Sequence, residues 1–196
     1  MSDGRASEKE KMLRGELYHA EGPELVADRQ RADRLLRAYN ATGADERERR
    51  LEMLRELLGE AGEGAVVQPL FRCDYGYNVF LRPGVFLNYN CVLLDVMPIR
   101  IGEGTQIGPA VQIYAADHPR DGETRRLGLE CGKPVVVGRN VWIGGGAILL
   151  PGIHVGDDAV IGAGSVVTRD VGVGETVAGN PARVLRGRAG VVERVV

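Results

Sequence analysis

One of the three histidines in this 196-residue chain stands where acid–base chemistry could take place. His118 is followed by Pro119 and lies in the polar stretch YAADHPRDGETRRLGLECGKP, which lacks the regular pattern of its surroundings. An imidazole with an unperturbed pKa of about 6.5 is mostly neutral at neutral pH, so it can take a proton from a hydroxyl group. A lone histidine on a loop is more often an ordinary surface residue. We nevertheless select His118 as the candidate general base, because it lies at the one large break in a regular chain.

The other reactive residue types form no pattern of their own. A catalytic zinc needs several protein ligands, and the three histidines lie in unrelated segments. Cys73, Cys91 and Cys131 are odd in number and follow no CxxC spacing, so we expect free thiols in a reducing cytosol. No serine occupies a nucleophile elbow. The sequence therefore predicts chemistry without a metal and without a covalent enzyme intermediate.

Charge and hydropathy exclude two classes of partner. The 25 Lys and Arg residues nearly cancel the 27 Asp and Glu residues, so no strong field favours nucleic acid. No run of about 18 apolar residues is present, which argues against a membrane span. The N-terminal stretch MSDGRASEKEKMLRG is too charged for a signal peptide. We expect a cytoplasmic protein.

The elements that must position His118 are repeats of six residues. Branched aliphatic residues recur at that spacing between residues 133 and 182: Val137, Ile143, Leu149, Val155, Ile161, Val167 and Val173. A strict period of six fits neither an α-helix nor a plain alternating strand. It is typical of a hexapeptide β-helix, in which each coil buries its inward aliphatic residues against the neighbouring coils.

The repeat divides the chain into a helical segment, a β-helix and a tail. Residues 1–64 are highly charged and show helical spacing of leucines, with Ser7 and Glu10 as a capping box. The β-helix is predicted over residues 65–187, with a register slip at Val96–Pro98. Residues 114–134 form an excursion loop that re-enters in phase, and residues 188–196 form a C-terminal tail. Long loops inside compact repeats are usually functional or disordered.

Several of these stretches resemble one known family. The segments IYAADHP, VWIGGGAILLPGIHVGDDAVIGAGSVVTRDV and AGNPARV are similar to the hexapeptide-repeat acyltransferases, in the maltose, galactoside and nodulation O-acetyltransferase branch. The resemblance covers roughly residues 8–187. It implies a left-handed parallel β-helix, acetyl-CoA as co-substrate, and a homotrimer with shared active sites. The activity it implies is O-acetyl transfer to a small sugar or polyol, with a maltose- or glucose-type acceptor favoured.

The resemblance also implies roles for individual residues near His118. Glu130, in GLECGKP, matches the acidic residue that pairs with the catalytic histidine. Asn88, in FLNYN, matches the asparagine that stabilises the oxyanion or orients the acceptor. Positions that match the acceptor pocket are Arg29, Asp74 and Asp95. Val96 stands where galactoside acetyltransferases carry a second aspartate, which favours the maltose-type branch.

In that family, coenzyme A lies in a groove between neighbouring subunits. The positions that match its pantetheine arm are Trp142, Gly145 and Ala163. Those that match its nucleotide end are Thr168, Arg169, Arg183 and Arg186. Arginine suits phosphate recognition, because its planar guanidinium is always charged and donates in a fork.

Three other readings stay open at this point. The acceptor could be another hydroxyl compound, such as a galactoside, a lipo-oligosaccharide or an antibiotic. A zinc-dependent lyase on the same fold would need a ligand set that the scattered histidines do not supply. A non-catalytic trimeric scaffold would leave the set of His118, Glu130 and Asn88 without a purpose.

Overall fold

The computed structural model describes residues 6–185, which form a parallel β-helix of about six turns with helices at its N-terminus. The described residues contain the helices α1 (Glu8–Leu13), α2 (Pro23–Asn40), α3 (Arg47–Leu57) and α4 (Gly122–Arg126). In chain order the strands are β1 (Tyr18–His19), β2 (Glu60–Ala61), β3 (Val66–Val67), β4 (Arg72–Cys73), β5 (Val79–Leu81), β6 (Phe86–Leu87), β7 (Val92–Leu94), β8 (Ile99–Ile101), β9 (Gln106–Ile107), β10 (Gln112–Tyr114), β11 (Ala116–Asp117), β12 (Leu129–Gly132), β13 (Val135–Val137), β14 (Trp142–Ile143), β15 (Ile148–Leu149), β16 (His154–Val155), β17 (Val160–Ile161), β18 (Val166–Val167), β19 (Thr176–Ala178) and β20 (Arg183–Val184).

Three sheets make the faces of the β-helix. Face 1 contains β2, β5, β8, β13 and β16; face 2 contains β3, β6, β9, β14, β17, β19 and β20; face 3 contains β4, β7, β10, β15 and β18. Because the chain visits the faces in this order, the turns after face 2 form a 2–3 corner and those after face 3 form a 3–1 corner. The first strand of the β-helix, β2, lies before residue 65, so the β-helix begins earlier than predicted. Its residues, Glu60 and Ala61, lack the aliphatic pattern on which the prediction depended.

The excursion leaves and re-enters the β-helix in register. Ile99 pairs with Val135, 36 positions further on, whereas Val136 pairs with His154, 18 positions further on. The excursion therefore adds a whole multiple of six residues, and the aliphatic ladder continues as if it were absent. The predicted slip at Val96–Pro98 lies at the 3–1 corner between β7 and β8.

The aliphatic repeats point inward as expected, with one exception. Val137, Ile143, Leu149, Val155, Ile161 and Val167 are at most 2% exposed. Val173 is 73% exposed, so its predicted place in the core is wrong. The last coil is shorter than the others. Val155 pairs with Val171, only 16 positions further on, whereas Val136 and His154 on the preceding coil are 18 positions apart. Val171 therefore takes the inward position, where it is 5% exposed.

The shortened coil makes a matched pair of substitutions informative. Val171→Asp places an unpaired carboxylate in the apolar interior and should cost about 3 kcal/mol or more in the free energy of unfolding. Val173→Asp, two residues away, should change it by less than about 0.5 kcal/mol. Urea unfolding of the two variants beside the wild type measures both values. An equal loss of unfolding free energy in Val171→Asp and Val173→Asp would contradict the shortened last coil.

The N-terminal helices contact the β-helix at two places, through hydrogen bonds at the end of α2 and through a small second core. The Ser7–Glu10 capping box is present, and α1 ends at Leu13. At the end of α2 the Asn40 amide donates to the Phe71 carbonyl at 2.9 Å and accepts from the Phe71 N–H at 3.0 Å. A small second core joins the first helices to the 3–1 corner, through Met12, Tyr18, Leu25, Tyr75 and Val96. No helix within residues 6–185 combines the length and apolar character needed to cross a membrane.

Candidate active site

The excursion folds into a hairpin that carries the two predicted catalytic residues. Strands β11 and β12 run antiparallel, with Asp117 opposite Cys131. Continuing that register by one residue places His118 opposite Glu130. On the other side of β12, strand β1 pairs Tyr18 with Glu130. Directly opposed residues in such a sheet have Cβ atoms about 5 Å apart, so the three side chains form one row.

Two members of this row, His118 and Glu130, line a cavity of about 260 Å³ together with Arg125, Gly128 and Leu129. His118 is exposed, and its backbone is fixed from both sides. Its N–H donates to Asp117 Oδ1 at 2.8 Å, and its carbonyl accepts from Arg120 Nη1 at 2.7 Å. Among the residues described, no hydrogen bond joins the imidazole to the Glu130 carboxylate. Glu130 Oε2 instead accepts from the Tyr18 hydroxyl at 3.1 Å.

Asp95 is a buried carboxylate that binds the turn of residues 74–78 through its backbone. It is fully buried, and its Oδ1 accepts from the backbone N–H of Asp74 at 3.0 Å and of Tyr75 at 2.9 Å. Its Oδ2 accepts from the N–H of Asn78 at 3.2 Å. Both oxygens of this carboxylate are therefore held by backbone N–H groups of the turn. Asp95 stays a predicted acceptor-site residue, and the contribution visible in its contacts is to hold the turn that carries Asp74.

That turn also contains a glycine that no other residue could replace. Gly76 has φ +82°, and a Cβ there would lie 2.5 Å from the Leu57 carbonyl oxygen. The tight packing of the end of α3 on this turn fixes the direction of the neighbouring Asp74.

Asp74 lies at the 3–1 corner, within electrostatic range of Arg29 on α2 and of Glu130. Burial, followed by the negative charge of Asp95, raises the pKa of Asp74 to about 6, and Arg29 opposes the shift. Arg29 extends from α2, where Nη1 donates to the Ala20 carbonyl at 2.6 Å and to the Tyr75 hydroxyl at 3.3 Å. A part-buried carboxylate beside a guanidinium supplies both acceptors and donors for a hydroxyl-rich ligand.

The raised pKa of Asp74 predicts a pH-dependent stability effect. The group binds a proton more tightly in the folded than in the unfolded chain, so its ionisation destabilises the fold as pH rises from 3.8 to about 6. Asp74→Asn should therefore stabilise the protein by about 1–3 kcal/mol at pH 8 and by much less at pH 4. Urea unfolding at the two pH values measures this difference. A gain of the same size at both would show that the effect is not one of charge.

A second group of predicted residues lies at the 2–3 corner. Asn88 follows β6, and its Oδ1 accepts from the Tyr89 N–H at 2.8 Å. Gly145 follows β14 and Ala163 follows β17, while Trp142 points outward from β14 with half its surface exposed. Face 3 separates this corner from the 3–1 corner. One chain therefore does not bring Asn88 together with His118.

Gly145 also has a purely structural reason to be small. A Cβ at this position would lie 3.1 Å from the Pro109 carbonyl oxygen on the preceding coil. The close stacking of the coils therefore favours glycine here whether or not a cofactor lies against it.

The predicted phosphate-binding residues lie near the last coil. Arg169 follows Thr168 after β18, at the 3–1 corner. Arg169 and Arg183 line one cavity of about 140 Å³ with Asp170 and Val184. Arg186 lies outside the described residues.

Sequence reasoning missed Tyr18, Tyr75 and Asn78, which hold Glu130, Arg29 and the Asp95 turn. Tyr18 belongs to a two-residue strand, which is too short to show any periodicity. Its place shortly before α2 also does not distinguish it, in the sequence, from other residues near the start of a helix. Tyr75 and Asn78 lie in YGYN, a glycine-containing turn, but their partners are distant in sequence.

Metal and thiol chemistry find no assembled site in the described part of the chain. Within residues 6–185 no three His, Cys, Asp or Glu side chains gather in a group that could hold a metal ion. Cys73, Cys91 and Cys131 are free, and burial raises the pKa of each thiol.

Known proteins share both parts of this architecture. The maltose acetyltransferase hexapeptide capping motif matches residues 11–62, and the bacterial transferase hexapeptide model (six repeats) matches residues 134–169. Nodulation protein L of Rhizobium leguminosarum bv. viciae is 58% identical over 92% of this chain and 95% of its own length.

Solved structures agree with the sequence matches. A maltose O-acetyltransferase from Clostridium difficile 630 has a TM-score of 0.91 at 48% identity, covering 92% of this chain and 97% of that one. A hexapeptide-repeat containing acetyltransferase from Vibrio cholerae O1 biovar eltor, complexed with acetyl coenzyme A, has a TM-score of 0.85 at 39% identity, covering 92% and 98%.

A β-helix with a polar excursion and a helical cap defines an acyltransferase of the hexapeptide class. The chain belongs to the hexapeptide-repeat acetyltransferase family, in the branch that carries the maltose acetyltransferase capping motif.

Proposed function

We propose that the enzyme moves the acetyl group of acetyl-CoA to a hydroxyl of a small sugar, with His118 as the general base. The observation that carries this proposal is the row in which His118 faces Glu130 at the rim of a cavity. The polar pair of Asp74 and Arg29 lies beside that row, where an acceptor could be oriented.

The base is needed because a sugar hydroxyl is far too weak an acid to ionise at neutral pH. His118 accepts the hydroxyl proton while the oxygen attacks the thioester carbonyl. The tetrahedral intermediate then expels the sulfur of coenzyme A, which leaves as a thiol after taking the proton back from the imidazolium. Glu130 stabilises the positive charge that the ring carries between the two steps.

The acceptor in the leading version is of the maltose or glucose type. Asp74 can accept hydrogen bonds from sugar hydroxyls, and the 30% exposed Arg29 side chain can donate to them. Val96 is apolar and buried in the small core with Tyr18, so it offers no polar contact to a galactoside.

A second version has a larger hydroxyl acceptor, such as a lipo-oligosaccharide. His118 is exposed, and Leu127, at the far end of the excursion, is 67% exposed, so an extended molecule would meet no wall there.

The arrangement of the two corners supports a site shared between subunits. Asn88 and Trp142 lie at the 2–3 corner, whereas His118, Glu130 and Asp74 lie at the 3–1 corner. A three-fold assembly packs one corner of each copy against the other corner of the next, which completes every site with two chains. We include a homotrimer in the proposal, with the donor lying in the groove between copies.

The test is a screen of acceptors with acetyl-CoA, following release of the free thiol. We expect turnover with maltose or glucose, no dependence on added zinc, and formation of an O-acetyl ester detected by mass spectrometry. Turnover only with a lipo-oligosaccharide would select the second version. Thiol release that is the same with and without every acceptor would contradict acetyl transfer to a hydroxyl.

A further inference from the structure

Tyr18 is a fully buried tyrosine whose hydroxyl makes a single hydrogen bond within residues 6–185. Its ring packs in the small core with Met12, Leu25, Tyr75 and Val96, a place that a phenylalanine would fill equally well. Its hydroxyl must find a partner there, because a buried polar group without a hydrogen bond is costly. The partner is Glu130 Oε2, at 3.1 Å.

The backbone holds this contact in place. Strand β1 pairs with β12 so that Tyr18 lies directly opposite Glu130, and β12 pairs on its other side with β11, which leads to His118. Within residues 6–185, Glu130 Oε1 has no hydrogen-bond partner, so this oxygen remains free to accept from the imidazole. Burial, followed by the charge of Glu130, raises the pKa of the Tyr18 phenol, which therefore stays protonated and donates.

We propose that Tyr18 is a positioning residue for the reaction: its hydroxyl fixes the Glu130 carboxylate so that the free oxygen faces His118. The inference rests on the proposed function, since it takes His118 as the base. It also connects the N-terminal segment to the chemistry, because Tyr18 precedes α2, and α2 supplies Arg29.

The physical argument is one of orientation. A glutamate side chain at the edge of an open cavity rotates freely unless something holds it, and a charge-assisted hydrogen bond is a strong and directional constraint. The imidazolium formed during attack is stabilised only by a carboxylate that is already in place. Loss of the hydroxyl should therefore lower kcat, while binding of acetyl-CoA stays unchanged.

The experiment compares Tyr18→Phe in three backgrounds by steady-state kinetics. In the wild type the substitution should lower kcat about tenfold and leave the KM for acetyl-CoA unchanged. In Glu130→Gln the amide oxygen accepts from Tyr18 and leaves the amide nitrogen, a donor, facing the imidazole, so the substitution should no longer lower kcat. In Glu130→Ala, which has no such oxygen, it should have less than about a twofold further effect.

Tyr39→Phe is the matched control for packing. Tyr39 is also fully buried and its hydroxyl donates one hydrogen bond, to the Val67 carbonyl, far from the excursion. This variant should lose stability as Tyr18→Phe does, with wild-type kcat.

Two results would overturn the inference. One is a kcat for Tyr18→Phe within twofold of the wild type. The other is the same loss in all three backgrounds, since that would mark a role in packing only. If either result occurred while His118→Ala still had a strongly reduced kcat, only the role of Tyr18 would be refuted and the proposed function would stand. An active His118→Ala enzyme would refute the proposed function itself.

Discussion

We expect His118→Ala to lower kcat by about 10²–10⁴-fold, the usual contribution of a positioned general base. The fold should survive, because the side chain is exposed and makes no hydrogen bond that supports the hairpin. The KM for acetyl-CoA should also stay close to the wild-type value, since the predicted donor residues lie elsewhere on the β-helix. Steady-state kinetics and circular dichroism on the purified variant measure both.

The chain offers a matched control for this substitution. His154 is an exposed histidine on β16 of face 1 and lines neither the cavity of His118 nor that of Arg169, so His154→Ala should keep full activity. Glu130→Gln should cost less than His118→Ala, and the double variant should be far from additive, as for residues that act as a unit. In the wild type, kcat/KM should fall as the pH is lowered, because a protonated imidazole cannot accept the hydroxyl proton. A near-normal rate for His118→Ala would leave the chemistry without a base.

Mixing two inactive variants restores activity if each site is built by two copies. Asn88→Ala should lower kcat by about 10²–10³-fold through loss of an oxyanion donor. In trimers assembled from equal amounts of His118→Ala and Asn88→Ala chains, a site is intact when the His118 comes from one variant and the Asn88 from the other. About one quarter of the sites meet that condition, so co-expression should recover about a quarter of the wild-type rate.

The control mixture uses two residues of the same hairpin. His118 follows β11 and Glu130 lies on β12 of the same chain, so mixing His118→Ala with Glu130→Ala never places both intact residues in one site. This mixture should recover no activity. The shared site is refuted if the mixture of His118→Ala and Asn88→Ala also stays inactive, or if light scattering finds a monomer with full activity.

Much of the β-helix could be predicted from local pattern, because each inward aliphatic residue repeats a fixed distance along the chain. The phase of the excursion is visible in the same way, since Ile113 and Val137 are separated by a multiple of six. Val173 shows the limit of this reasoning. It keeps the spacing in sequence, but the last coil is two residues shorter than its neighbours, as the pairing of Val155 with Val171 and of Ile161 with Val177 shows.

The acceptor region shows a different limit. Asp74 and Asp95 look equivalent as acidic residues in similar turns, yet Asp74 is part-buried and Asp95 is enclosed by backbone N–H groups. Burial and hydrogen-bond partners decide this difference, and both depend on residues that are 17 to 21 positions away.

The sequence by itself determined the repeat, the excursion, and His118 as the one histidine of that excursion. These features depend on residue type and on spacing along a single chain. Only the tertiary structure decided that Tyr18 holds Glu130, across 112 positions, and that Asn88 lies at another corner from His118. The physical reason is that a β-helix maps positions six apart onto successive faces, while a hairpin and a docked N-terminal strand bring together residues with no sequence relation. Local periodicity records the first kind of neighbour and carries no trace of the second.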